Sequence, residues 1–445
     1  MELGDIPSQP GLPLLGHTLA WLRDPIGTPV RMRDALGDVF HHHLFFARPV
    51  VFAHPDALGQ IFTDAGERLS TGAGWRPFFG RVLPGGLLLR DHQDHRYHRG
   101  LMGAAFSPAA LREHVGAMTP RIAATLDGWR GRSPLLAVPA FRQLTLELAG
   151  AIFLGVEVGA QLAALAHDFD ELAKGVAALV PVPLPGTALG RALRARARLA
   201  RYLRALVAER RATPSTDLLG QLCQATDAEG RRFSDDEVVD HTIFMWMAAH
   251  DTTTGSLAMA AYELARSEAW QQRLRVEASR IGPSLPYERM AEARDAEQVI
   301  NEVLRLYPPV GSVPRRTLEP CELGGVHLPA GTALRASILL AQRHPDFWSR
   351  PGEFDPERFS DERAEHRRHR YAFRPFGAGA HACLGARFAM LQIKAVLHQL
   401  LLRYRLALPP GYALRLRPTP SFRPADDLPL LLSACDGAAA EGASC

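Results

Sequence analysis

The 445-residue sequence has few lysines, few cysteines and no long apolar run near its N-terminus, and the last two shortages each exclude a class of protein. All but two of its 51 basic side chains are arginines, which together with many alanines suggests a GC-rich bacterial genome. Five scattered cysteines are too few, and odd in number, for a disulfide framework or a zinc cluster, so we expect a reducing, cytoplasmic compartment. The first residues contain no segment long enough for a signal peptide or a membrane anchor, so no membrane anchor is expected.

The overall composition is that of a globular enzyme. Hydrophobic residues make up 47% of the chain and charged residues 22%, enough for a sizeable core. The net charge of +4 is too small and too dispersed to indicate nucleic-acid binding. Because no linker rich in proline, glycine or serine divides the chain, we predict a single domain over residues 1–445, with a flexible tail at 435–445.

The most informative stretch is residues 373–402, in which a glycine-rich loop delivers Cys383 to the start of an amphipathic helix. At such a place the free N–H groups and the dipole of the helix favour a thiolate, so Cys383 is a candidate metal ligand. Gly377 and Gly385 near it allow the backbone to approach a bulky planar group closely. The alternative for an isolated cysteine is a buried structural role. The helix is predicted from the apolar spacing of Leu384, Phe388, Leu391 and Ala395.

A second pattern predicts a long central helix over residues 234–267. Ser234 and Glu237 form a capping box at its start, and the pattern then continues without proline for a length that would span a domain. Asp251 and Thr252 interrupt its apolar sequence. A threonine that bonds back to a carbonyl would give only a harmless bend, which is the structural alternative here. We interpret His250 as a histidine that packs against a neighbouring helix.

Two further pairs are spaced for a shared helix face. His95 and Arg99 are four residues apart, and Glu302 and Arg305 are three apart. Taken alone, each pair could be a surface cluster or a surface ion pair of little energetic value.

The spacing Phe376-x-x-Gly379-x-His381-x-Cys383-x-Gly385 resembles the heme-binding loop of the cytochrome P450 family. The central-helix acid and alcohol, the two spaced pairs and a downstream Phe-Asp-Pro-Glu-Arg-Phe segment resemble further motifs of that family, and they occur in family order across most of the chain. The resemblance implies a cytochrome P450 fold that is mostly α with a smaller β region. It also implies heme b between the long central helix and the cysteine-ligand helix.

The resemblance assigns roles residue by residue. Cys383 would bind the heme iron, Asp251 and Thr252 would deliver protons, and an arginine after the Glu-x-x-Arg helix would hold a heme propionate. Arg315 and Arg316 could both take this propionate role, and the distance along the sequence from Glu322 favours Arg315. Cofactor contacts are expected from His95, Arg99, Arg315, Phe376, Gly377, His381, Cys383 and Gly385. A structural brace of the heme loop is expected from Glu302, Arg305 and Arg358.

The implied function is a soluble, bacterial-type monooxygenase that hydroxylates or epoxidises an apolar small molecule. Its proline-rich connector, residues 180–196, resembles that of branches acting on steroids, retinoids or terpenoids. Pocket contacts are expected from Trp75, Phe78, Phe79, Ala248, Val310, Val313 and Phe422. A separate ferredoxin and an NAD(P)H-dependent ferredoxin reductase would supply electrons to a monomeric enzyme. A peroxide-driven or isomerising heme-thiolate enzyme and a non-catalytic heme sensor stay open as alternatives.

Overall fold

The computed structural model describes residues 1–44, 47–157, 159–176, 178, 182–419 and 421–435, and within them the chain is mostly helical. The helices are α1 Thr18–Arg23, α2 Gly27–Leu36, α3 Pro55–Thr63, α4 Thr71–Phe79, α5 His92–Gly103, α6 Pro108–Asp127, α7 Ala137–Leu154, α8 Ala160–Val176, α9 Ala188–Ala212, α10 Leu218–Gln224, α11 Asp235–Arg266, α12 Glu268–Ile281, α13 Arg294–Leu306, α14 Ile338–Ala341 and α15 Ala386–Arg403. The strands are β1 Val39–His41, β2 Val50–Phe52, β3 Leu69–Ser70, β4 Leu135–Leu136, β5 Val313–Thr317, β6 Cys321–Leu323, β7 Val326–Leu328, β8 Ala333–Ala336, β9 Tyr404–Ala407, β10 Leu416–Arg417, β11 Arg423–Pro424 and β12 Pro429–Ala434.

The chain forms two compact units, each built from separate stretches of sequence. The first contains residues 1–98, 304–383 and 416–422, and the second contains residues 99–303, 384–415 and 423–445. The single domain predicted from the sequence stays a prediction. Of the tail predicted at residues 435–445, only Cys435 lies among the described residues. Val180 and Pro181, at the start of the proline-rich connector, lie outside the described residues.

The first unit is organised around a five-stranded sheet with the order β1-β2-β8-β5-β3. On one face, Phe52 and Ala336 join an apolar core that includes Leu58 and Ile61 of α3. On the other face, a smaller cluster contains Val51 and packs against α2. The alternation of side chains along each strand produces these two faces. The β-branched and aromatic residues between Val39 and Ala53 predict a hairpin, and β1 and β2 pair antiparallel there.

The second unit is organised around the long helix α11. Its N-cap Ser234 accepts from the amide of Glu237 and the Glu237 side chain accepts from the Ser234 amide, so the predicted capping box and helix are confirmed. Helices α7 and α9 pack along it. The mixed apolar and polar sequence of α11 fits this position, because nearly all of its second half is buried. A three-stranded sheet in the order β4-β12-β9 completes this unit.

One helix of the described residues, α7, is long and apolar enough to cross a membrane. It is 67% buried within the fold, as expected of a core helix.

Three local predictions differ from the structure. The glycine-rich composition of residues 70–86 predicts a loop, but residues 71–79 form α4, because Ser70 caps the helix and Asp91 accepts from two amides of its first turn. Consecutive strand residues face opposite sides of a sheet, which predicts a solvated strand face rather than a metal site for His41, His42 and His43, whereas His42 is buried and burial lowers its pKa to about 3. The helix expected to start at Cys383 begins three residues later, at Ala386.

Candidate functional site

The loop that carries Cys383 is held by its own backbone. The amide of Cys383 donates to the carbonyl of Phe376 at 2.8 Å, and the amide of Gly377 donates to the carbonyl of Arg374 at 2.9 Å. Gly377 and Gly379 both have φ of +69°, a conformation that side-chain-bearing residues rarely adopt. The Cys383 side chain is exposed.

Gly379 has a second reason to be glycine. A Cβ atom at this position would lie 1.9 Å from the carbonyl oxygen of Phe62, whereas a Cβ at Gly377 would meet its nearest atom at 3.9 Å. The backbone of the loop therefore packs directly on the end of α3 at Gly379. Gly385 differs from both, because its φ is −86° and a Cβ there would meet only the ring of Phe106, at 3.8 Å. Positive φ therefore occurs at Gly377 and Gly379 but not at Gly385.

The structure brings together two histidines that the sequence had placed at a cofactor. His95 of α5 and His381 of the cysteine loop lie with ring centroids 3.8 Å apart and their planes tilted by 34°. His95 is buried and His381 is half-buried. Arg99 follows one turn after His95 in α5, as the four-residue spacing predicts.

Arg315 of β5 is a buried cation without a carboxylate in salt-bridge distance among the described residues. Its Nη1 donates to the carbonyl of Pro314 at 2.8 Å. Burial lowers its pKa to about 10, and the more distant Asp91 and Asp64 act in the opposite direction. Buried arginines are normally paired with an anion. This position therefore fits a carboxylate brought by a cofactor.

The arginines expected to brace the cysteine loop are completely buried. Arg305 donates to the carbonyls of Gln342 at 3.0 Å and of Pro351 at 2.8 Å. Arg358 donates to Glu365 Oε2 at 3.1 Å, a carboxylate partner that the sequence did not reveal. Glu302 is also completely buried, in α13 of the second unit. All three predicted residues are thus interior, as a structural role requires.

Arg358 and Glu365 form part of a wider polar cluster. Glu365 also accepts from the hydroxyl of Ser349 at 2.6 Å and from Arg363 at 2.6 Å. Although burial acts to raise the pKa of Glu365, these hydrogen bonds and the nearby arginines outweigh it and lower that pKa to about 2. A carboxylate with this many donors remains ionised throughout the physiological range.

In the second unit, α11 presents a short accessible strip that contains Ala248 and Thr252, four residues apart. The Thr252 hydroxyl donates to the Ala248 carbonyl at 2.7 Å, the back-bond foreseen as the alternative. Asp251 is buried beside this strip and accepts from Arg142 Nη2 at 3.0 Å, with Arg423 Nη1 at 3.6 Å. Burial raises the pKa of Asp251, and the two arginines partly offset that effect.

His250 lies in a buried hydrogen-bond chain, where a packing role was expected. Its Nδ1 is 2.9 Å from the Thr145 hydroxyl, which in turn lies 2.9 Å from the Thr254 hydroxyl. Burial lowers the pKa of His250 to about 3, so the ring is neutral at physiological pH. The chain ties α11 to α7 next to Asp251.

The predicted pocket residues of the first unit occupy three places. Trp75 and Phe79 of α4 lie with ring centroids 5.4 Å apart, and Phe78 is exposed beside them. Phe422 is buried close to the backbone of Gly311, next to the predicted Val310. Val313 packs against the larger apolar core of this unit.

Several residues of chemical interest gave no signal in the sequence. Arg142 and Arg423 hold Asp251 although they are 109 and 172 positions away from it. Glu365 and Asp91 are carboxylates whose partners come from other elements. The contacts of Asp251 and Asp91 depend on tertiary structure. Glu365 lies only seven residues after Arg358 but in a separate 3-10 helix, so no regular helical spacing predicts that pair.

The family model described as "Cytochrome P450" matches residues 6–423, so the chain belongs to the cytochrome P450 family. It is 38% identical to "Putative cytochrome P450 136" of Mycobacterium tuberculosis over 95% of this chain and 87% of that protein. It is 29% identical to "Cyclooctat-9-en-7-ol 5-monooxygenase" of Streptomyces melanosporofaciens over 91% of this chain and 90% of that protein.

A solved structure titled "Retinoic acid bound cyanobacterial CYP120A1" is similar with a TM-score of 0.87 and 30% sequence identity, over 97% of this chain and all of that one. The expected cytochrome P450 fold is therefore confirmed. The chain is a cytochrome P450 enzyme, an oxidoreductase, and the family implies a heme cofactor, redox partners and an apolar substrate. The accessible Cys383 thiol and the buried cation of Arg315 fit such a cofactor.

Proposed function

We propose that this protein is a monooxygenase that inserts one oxygen atom of O2 into an apolar small molecule, by hydroxylation or epoxidation. The observation that carries the proposal is the combination of an exposed Cys383 with a buried acid, Asp251, and a partly exposed alcohol, Thr252, on α11. When bound, heme b supplies the activation of dioxygen that this reaction needs. The protein supplies the ligand, the orientation of the cofactor and the proton path.

Each predicted residue has a role that its surroundings support. Cys383 would hold the heme iron as a thiolate, on a loop whose conformation two glycines fix. Arg315, His95 and Arg99 would bind the heme propionates, and Arg315 has the clearest reason, since it is buried without a carboxylate of its own within the described residues. His381, Phe376, Gly377 and Gly385 would contact the porphyrin.

Asp251 and Thr252 would manage protons. A carboxyl group whose pKa is raised by burial holds a proton nearer to neutral pH than an exposed aspartate does, which suits a relay. The Thr252 hydroxyl can release its bond to the Ala248 carbonyl and donate to a substrate-side acceptor instead. A peroxide-driven enzyme or a heme sensor would not need this acid and alcohol.

The substrate class proposed is a steroid, retinoid or terpenoid. Trp75, Phe78, Phe79, Ala248, Val310, Val313 and Phe422 would line its pocket and favour an apolar molecule held mainly by shape. A relative named for oxidising cyclooctat-9-en-7-ol and a structural neighbour with bound retinoic acid support this choice. A ferredoxin and an NAD(P)H-dependent ferredoxin reductase would supply two electrons to the monomeric enzyme.

The test is a comparison of oxidants with one candidate substrate, retinoic acid. Purified enzyme would receive NADH, a ferredoxin and its reductase in one reaction and hydrogen peroxide in another. We expect an oxygenated product that depends on NADH and O2. Product formed with peroxide alone would support the peroxide-driven alternative, and a heme spectrum that responds to the ligand without any product would support a sensor.

A further inference from the structure

Arg335 stands in the central strand of the first unit's sheet, in a row that is otherwise apolar. Its cross-strand neighbours are Val51 of β2 and Pro314 of β5, and Phe40 of β1 lies opposite Val51. Phe40, Val51 and Pro314 are apolar and buried, and Arg335 is the charged member of this row. A cation in such a row loses hydration that its neighbours cannot replace.

No ion pair or hydrogen bond to the Arg335 side chain occurs within the described part of the chain, and its charged group lies near an aromatic ring. Its guanidinium carbon lies 5.8 Å from the ring centroid of Phe78, on α4. A single cation–π contact, even a desolvated one, contributes less than the loss of hydration of a buried charge costs.

The electrostatic surroundings of Arg335 contain no compensating acid among the described residues. Burial is the one cause that lowers its pKa, and no carboxylate acts against it. Its charge is felt by His42, which is itself buried and neutral, with a pKa of about 3. The side chain nevertheless keeps some accessible surface.

The chemistry that completes this environment is an anion with two oxygen acceptors. A planar guanidinium matches a carboxylate through two parallel hydrogen bonds. Two sources of a carboxylate are at hand in a cytochrome P450, the heme propionates and a substrate acid. The register of the sheet distinguishes these two sources. Arg335 pairs with Pro314 and Arg315 pairs with Leu334, so the two arginines point to opposite faces of the sheet. A propionate held by Arg315 is therefore not the partner of Arg335.

We propose that Arg335 binds the carboxylate of an apolar acid substrate, beside the exposed ring of Phe78. This inference rests on the proposed function and narrows its substrate class from apolar molecules in general to apolar acids. The apolar body of the ligand would contact the side chains of Phe78 and Trp75, and the centroids of these two rings lie 6.2 Å apart. Arg335 would then select between an acid and its neutral derivatives.

The test compares retinoic acid with its methyl ester, which has the same apolar body without the charge. Binding to the heme-loaded enzyme would be measured by equilibrium dialysis. For the natural sequence we expect the acid to bind at least about tenfold more tightly than the ester. R335L should bring the two affinities within about twofold by weakening the acid alone, and R335K should restore part of the preference.

R316L is the matched control, because Arg316 is the exposed arginine on the neighbouring strand and should not affect the preference. The proposal would be overturned if the enzyme with the natural sequence bound acid and ester with equal affinity. This result does not depend on the folding of any variant. It would also be overturned if R335L kept the preference, or if R335L lost heme, which would assign Arg335 to a propionate. If the ester binds and the acid binds no more tightly than the ester, the proposed carboxylate site is wrong, but the monooxygenase proposal is unaffected.

Discussion

Arg142 bridges two carboxylates, donating from Nη2 to Asp251 at 3.0 Å and from Nη1 to Asp170 at 2.9 Å. Asp251 is nearly buried, and Arg142 is about one-quarter exposed. The arginine therefore joins the surface to the carboxyl group that we assign to proton transfer. Arg142 also acts to lower the pKa of Asp251, which burial would otherwise raise further.

We predict that R142L shifts the pH dependence of turnover to higher pH. Removing the cation disfavours the ionised form of Asp251, so its pKa rises. The unpaired buried charge should also lower stability, by up to about 3 kcal/mol. Product formed per NADH, measured from pH 6 to 9, would show the shift. D170N is the control, because it removes the other partner of Arg142, and an identical profile for R142L and the natural sequence would contradict the role.

We predict that T252A keeps heme and substrate binding but diverts reducing equivalents to hydrogen peroxide. The hydroxyl lies one turn after Ala248 on the accessible strip of α11, where it can donate to an oxygen on the substrate side. Substituting it removes a donor without opening a large cavity. Peroxide formed per NADH consumed is the measurement, and T252S should restore coupling because it keeps the hydroxyl. Unchanged coupling in T252A would argue against proton management by Thr252.

We predict that G379A damages the cysteine loop far more than G377A does. Both glycines have φ of +69°, so both substitutions carry the same conformational penalty, about 1–2 kcal/mol. Only at Gly379 would the new Cβ collide with a backbone carbonyl, at 1.9 Å. Heme content and melting temperature of the two variants measure the difference. Equal loss in both would show that the contact with Phe62 does not fix the loop.

We predict that E365Q destabilises the protein at neutral pH by about 3 kcal/mol, since a pKa lowered from 4.5 to about 2 corresponds to that free energy. A carboxylate with a lowered folded-state pKa stabilises the fold above its unfolded pKa and loses this contribution as pH falls. The gap between E365Q and the natural sequence should therefore narrow from about pH 4.5 downward. Urea unfolding at pH 7 and pH 3 tests this, and a gap that does not depend on pH would assign the loss to packing.

How much the sequence could reveal depended on the range of each interaction. The helix α11 and its capping box follow from signals within a few residues, and so does the loop around Cys383. The position of Arg142 beside Asp251 could not be read from the sequence, because it depends on how α7 packs against α11. Glu365 lies only seven residues after Arg358, but the two residues belong to separate 3-10 helices, so no regular helical spacing predicts their pairing.

Composition misled the prediction where tertiary contacts override it. The segment containing Trp75 and Phe78 is rich in glycine and proline, yet it forms α4 because Ser70 and Asp91 satisfy its first amides. His42 was expected to be solvated, but it faces the same side of the sheet as Phe40 and is buried there. Sheet register, which fixes these faces, is set by strand pairing across long distances in sequence.

The central claim is that Cys383 is the thiolate ligand of the heme iron. The most direct measurement is the absorption spectrum of the reduced protein with carbon monoxide, for the natural sequence, C383S and C435S. We expect the red-shifted band that gives the family its name in the natural protein and in C435S, whose cysteine lies outside the loop. C383S should lack that band while the protein stays folded. If the red-shifted band persists in C383S, another residue ligates the iron and the account is contradicted.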